Sequence, residues 1–91
     1  MAKRRIACVG DQVGVLNGYI QSSGQDGSFK VNGLEVAVEG AIAHRPGEWT
    51  RVIIPSVSKT FHNGKRIIVE GDFTDPPTAQ VHPPDRGVYV E

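Results

Sequence analysis

One short phrase returns three times along this chain at a nearly constant interval, and it limits the possible folds more than any other feature. Its copies read Arg5-Ile6-Ala7-Cys8-Val9-Gly10-Asp11, Glu35-Val36-Ala37-Val38-Glu39-Gly40-Ala41 and Arg66-Ile67-Ile68-Val69-Glu70-Gly71-Asp72. The glycines are 30 and then 31 residues apart. Each copy opens on a charged residue, continues through three small or branched apolar residues, and varies at the position before glycine. A period near thirty residues marks supersecondary units that bury a continuous core only together. Three such units in 91 residues predict a compact body with pseudo-threefold symmetry.

A chain of 91 residues is expected to form one small domain, residues 1–91, with a thin core. Its formal net charge is zero, which argues against nucleic acid as a partner, since such proteins usually carry a strongly basic balance. The one basic cluster, Lys3-Arg4-Arg5, reads as a solvated tail. No apolar run approaches the roughly 20 residues that span a bilayer, and no secretory signal opens the chain, so it is expected to be made in the cytoplasm. A single cysteine leaves no internal disulfide. Another staple is needed, either a metal or tight docking onto a partner.

Glycine is frequent, at 11 residues, and spread throughout, while helical apolar stripes are missing. The chain therefore reads as all-β. Ser28 to Val31, the pair Asn32-Gly33, and Leu34 to Val38 predict a hairpin with a type I′ turn. Lys59 to His62, Asn63-Gly64, and Lys65 to Val69 predict the same hairpin again. Tyr19-Ile20 and Val52-Ile53-Ile54 read as strands, and Val88-Tyr89-Val90 as a closing strand. Residues 44–49 read as a loop turning at Pro46-Gly47. Residues 75–85, with Pro76, Pro77, Pro83 and Pro84, read as unable to form a central strand.

The repeated Val31-Asn32-Gly33 to Gly40 and Phe61-His62-Asn63-Gly64 to Gly71-Asp72, with Val9-Gly10-Asp11 and Gly18-Tyr19-Ile20 before them, resemble the PAAR-repeat family. The likeness runs from about Ile6 to Asp72, although the eponymous Pro-Ala-Ala-Arg is mostly replaced. The resemblance implies a small tapered cone of three pseudo-threefold strand-and-turn repeats. It implies a structural tip that caps the homotrimeric β-helical spike of a contractile phage tail or type VI secretion system and meets the target envelope transiently. On that reading Asn32, Gly33, His62, Asn63 and Gly64 lie toward the base that meets the spike. Family ligands come from the loops after the repeat glycine, so His44 and His82, with Asp75, are the candidates for one zinc or iron ion near the vertex. The alternative is two solvated loop histidines, for the first loop offers neither histidine nor cysteine.

Cys8, aligned with Val38 and Val69, reads as a small core residue. Asp11 and Asp72 read as turn residues whose carboxylates bond nearby backbone, and Trp49 and Phe73 as loop anchors. No metalloprotease, phosphate-loop or nucleophile-elbow motif is present, so no enzyme is expected. The rival class is a small SH3-like or KOW-like β-barrel binding nucleic acid or ribosomal partners. Gly10-Asp11-Gln12-Val13 followed by Gly18-Tyr19-Ile20 fits its opening, whereas neutral charge and threefold spacing do not.

Overall fold

The computed structural model describes residues 3–14, 18–57 and 59–90, and these form short strands and no helix. In chain order they are β1 (Arg4–Arg5), β2 (Gln12–Val13), β3 (Tyr19–Ser22), β4 (Lys30–Val31), β5 (Leu34–Glu35) and β6 (Ile42–Arg45). Then come β7 (Trp49–Ile54), β8 (Phe61–His62), β9 (Lys65–Arg66), β10 (Phe73–Asp75), β11 (Val81–His82) and β12 (Tyr89–Val90).

The apolar triplets of the three copies, residues 6–8, 36–38 and 67–69, are buried at every position. Successive side chains of an extended segment point to opposite sides, so three buried in a row require a core on each side. Ala7, Ala37 and Ile68 join one apolar cluster, and Ile6, Cys8, Val36, Val38, Ile67 and Val69 join a second. Backbone pairing links the triplets in a ring. Cys8 bridges Val36, Val38 bridges Ile67, and Val69 returns to Ile6. The central residues close the same circle. Ala7 N–H donates to the Ile68 carbonyl (3.1 Å), Ile68 N–H to Ala37 (2.9 Å), and Ala37 N–H to Ala7 (2.8 Å). A second circle runs the other way, from Val9 to Glu35 (2.9 Å), Glu39 to Arg66 (2.7 Å) and Glu70 to Arg5 (2.9 Å). Each copy thus satisfies its neighbours' backbone groups, as burial demands.

Downstream of each glycine the chain forms a hairpin: β2 with β3, β6 with β7, and β10 turning back toward β11. They assemble one six-stranded sheet in the order β10-β7-β6-β3-β2-β11. A bridge from Phe73 to Gln80 joins its two ends, so the sheet nearly closes on itself. Strand alternation sends Val13, Ile20, Ala43, Ile53, Thr74 and Val81 inward, each at most 1% exposed. Upstream of each triplet lies a two-stranded ladder. Two are hairpins, β4 with β5 and β8 with β9, and the third joins β1 to β12. The carbonyls of Phe29, Thr60 and Val88 accept from Val36, Ile67 and Ile6 N–H at 3.0, 3.2 and 3.3 Å, so the β1–β12 pair does for the first copy what a hairpin does for the others. Both hairpins turn on Asn-Gly with positive φ at each residue, 52° and 80° at Asn32-Gly33 and 51° and 79° at Asn63-Gly64, as type I′ requires.

Two expectations change and one is refined. Residues 44–49 are not a loop: β6 runs through Arg45 and β7 begins at Trp49, which are register partners, so the turn is residues 46–48. Residues 75–85 form no central strand, as expected, but they supply an end strand of the main sheet, β11 beside β2. Its prolines bracket the strand, with Pro76 and Pro77 in the turn and Pro83 and Pro84 after it, leaving Val81 N–H free to donate to Asp72 (2.9 Å). The Arg4-Arg5 pair is no tail, because it forms β1 and Arg5 N–H donates to Glu70 Oε1 (3.0 Å).

Candidate functional site

The glycine turns that start the hairpins are held by buried polar groups. Cys8 N–H donates to Asp11 Oδ2 (2.7 Å) and Val69 N–H to Asp72 Oδ2 (2.9 Å), the local backbone bonding expected of these aspartates. The second copy has Ala41 there, and Val38 N–H donates instead to the Ser23 carbonyl (2.9 Å). That approach requires Gly24, at φ +79°, where an added Cβ would stand 2.7 Å from the Ala41 nitrogen. Arg86 clamps Asp11 with both terminal nitrogens, Nη1 at 2.7 Å from Oδ2 and Nη2 on Oδ1. The carboxylate in turn raises the Arg86 pKa. Asp72 receives the Ser56 hydroxyl and stands 3.9 Å from Arg4 Nη1. Burial pushes its carboxyl pKa up, and these partners oppose the rise. Burial likewise raises the Cys8 thiol, which is fully enclosed in the second apolar cluster. These groups position strands.

At the ladders, Asn32, Gly33, Asn63 and Gly64 are exposed turn residues and His62 is half-buried beside them. Phe29 packs its ring at 5.0 Å from that of His62, whose Nε2 lies 3.0 Å from Ser28 Oγ and 3.2 Å from Asn63 Nδ2. His62, Asn63, Lys65, Gln25 and Asp26 line a cleft of about 200 Å³. Hydrogen bonds from the side chain and backbone of Ser28 hold the Asp26 carboxyl below its ordinary range. Lys65 Nζ is occupied, donating to the Gly24 carbonyl at 2.8 Å. Sequence reasoning missed the apolar surface here. Phe61, Tyr89 and Leu34 are 54%, 42% and 41% exposed. Phe61 and Tyr89 occupy matching register positions, opposite Arg66 and Arg5. Their signal was an aromatic opening a ladder opposite an arginine in two of the three units.

The candidate metal ligands lie on the six-stranded sheet. Ala43 and Val81 point inward, so His44 and His82 point outward, and Asp75 follows inward Thr74. His44 pairs with Tyr19, Tyr19 with Gln12, and Gln12 with His82. The imidazoles are thus three strands apart in a ring of six, on opposite sides, roughly 14 Å round the sheet at ordinary strand spacing. His44 is also engaged, with Nδ1 2.8 Å from Thr50 Oγ1 and its ring edge-on to Tyr19 at 5.9 Å. Zinc or iron needs three or four donors within about 2.3 Å of one point. These residues do not fit one ion, and among the described residues no group of three metal-ligating side chains stands together.

At the hairpin-tip end the structure brings Trp49, expected as a loop anchor, together with Arg51 and Thr78, which the sequence did not single out. Trp49 is an anchor, though at the start of β7 rather than in a loop, and it packs on the inner core. Phe73 joins neither core cluster and is 46% exposed on the outer face, in register with Ile54. Arg51 lays its guanidinium 4.8 Å from the Trp49 ring centre and donates to Thr78 Oγ1. Compared with models of known protein families, with curated proteins and with solved structures, the chain gives no match.

Proposed function

We propose that this chain is a structural tip like the PAAR-repeat proteins, seated by its ladder end on a homotrimeric β-helical spike of a contractile phage tail or type VI secretion system. The finer description of the fold, three repeats about a pseudo-threefold axis tapering to the hairpin tips, belongs to this proposal. The observation that carries it is the circular pairing of the triplets, in which each copy bonds the next and the third returns to the first. A monomer that repeats one motif three times in a closed ring can offer three similar surfaces to three identical chains. A five-stranded SH3-like barrel has no reason to pair this way. The exposed Phe61, Tyr89 and Leu34 at the ladders supply apolar area for docking, and the short ladders leave backbone edges that an incoming strand would satisfy. The role is mechanical, and no residue is assigned to catalysis.

Native mass spectrometry of the chain mixed with a trimeric β-helical spike from the same source tests the reading. One copy per trimer is expected, with Phe61→Asp weakening the complex at least tenfold, the loss of about 1.4 kcal/mol or more. Three copies per trimer, or no complex, would sink it.

A further inference from the structure

We propose that the hairpin-tip end is closed by a side-chain plug, Trp49 with Arg51 and Thr78, and that this end keeps its shape without a metal ion. Three hairpins end there, those of β2–β3, β6–β7 and β10–β11, and Gly14 and Gly18 are the described residues that flank the first. The plug reaches described residues of each hairpin. Trp49 rises from the second, packs down on the inner core, and brings its ring edge to 3.6 Å from where a Cβ on Gly18 would lie in the first. Arg51 stacks on that indole and bonds Thr78 of the third. Ala79, also packed on the core, closes against Gly14, where a Cβ would stand 3.0 Å from the Ala79 Cβ. An indole covers more apolar area than any other side chain, and a guanidinium on its face adds attraction that grows as water is excluded.

The same arrangement opposes a cation. The guanidinium of Arg51 lies over Trp49 and bonds Thr78, so a metal ion drawn to these turns would meet a like charge. The imidazoles that the family resemblance offers as ligands face outward from opposite sides of the ring of strands. The spike reading implied a metal at this end, and this chain's own residues do that work differently. The inference holds whichever partner the ladders take.

Trp49 is the single tryptophan, so its fluorescence reports on the plug alone. The full chain is dialysed against EDTA and then titrated with Zn²⁺ or Fe²⁺ while tryptophan emission and thermal midpoint are followed. Both are expected to stay unchanged, with no stoichiometric metal by elemental analysis. Arg51→Leu is expected to red-shift the emission and lower the midpoint. Trp49→Ala is expected to lower it by about 10 °C or more, while His44→Ala/His82→Ala leaves it near wild type. A wild-type chain that loses stability in chelator, or carries one ion that the double histidine variant loses, overturns the proposal. Should Trp49→Ala not fold, the chelator and titration arms on the wild type still decide.

Discussion

The turns of the first and third copies perform one task with one residue, yet their surroundings differ. Asp11 and Asp72 both receive the N–H three residues back, at 2.7 and 2.9 Å. Asp11 is gripped by a guanidinium whose side chain is only 10% exposed. Asp72 has a hydroxyl and a distant arginine, 35% exposed at 3.9 Å. The comparison teaches that a repeat preserves the bond its backbone needs while leaving the payment for a buried charge to chance neighbours. Here Arg86, 75 residues along the chain, ties the last stretch of the protein to its first turn.

Removing the two arginines should separate the turns most sharply. Arg86→Ala leaves Asp11 buried and unpaired, and breaking a buried pair costs about 3–5 kcal/mol. Arg4→Ala loses a long contact in a half-open setting and should cost about 1 kcal/mol or less. Urea unfolding followed by Trp49 fluorescence measures both. Equal costs would mean that Asp11 and Asp72 are equivalent after all.

The second copy offers the next largest effect. With Ala41 in place of aspartate, its turn depends on the Ser23 carbonyl, which arrives only because Gly24 has no side chain. Gly24→Ala forces a Cβ against backbone at positive φ and should destabilise by about 1–3 kcal/mol. Gly33→Ala, where the added Cβ meets nothing within 4 Å, provides the reference for left-handed strain alone. A Gly24 variant no worse than that reference would show that the carbonyl is not the substitute for the missing carboxylate.

Much of this was legible in the sequence, and the limits are physical. The Asn-Gly turns announce themselves because few residue pairs accept positive φ twice in succession. The repeat marks Gly10, Gly40 and Gly71 because each begins a hairpin under the same steric demand. The Asp11 and Asp72 bonds were readable because they are local. Arg86 was not, for a pairing across 75 residues leaves no spacing to detect. The prolines excluded a central strand but gave no sign of β11 at the end of the sheet, since composition shows how many prolines a stretch holds but not that they fall on either side of Val81 and His82. His44 and His82 looked like partners because both follow a repeat glycine. Only the strand order puts them on opposite sides of the ring of strands.

The smallest and most selective test concerns protons. Burial raises the Asp72 carboxyl pKa above its ordinary value, so the folded state favours the protonated form more than the unfolded chain does. Such a group contributes stability that is present in full below the unfolded pKa and is lost as pH rises through the folded one. Asp72→Asn keeps an oxygen for Val69 N–H and an amide for Ser56 while removing the titration. The stability of the variant relative to wild type should therefore rise from acid pH toward neutral and level off once Asp72 has ionised. Asp85 gives the opposite sign. Hydrogen bonds from the Tyr89 hydroxyl and Gly87 N–H hold its carboxyl below the ordinary range. Its contribution is present above the ordinary carboxylate pKa and fades as pH falls through the lowered value, so Asp85→Asn should cost stability at neutral pH and little in strong acid. Paired urea titrations across pH 3–7 separate the two slopes. A flat difference curve for Asp72→Asn would mean that Ser56, Val69 N–H and Arg4 together cancel the burial, making the third turn as well neutralised as the first.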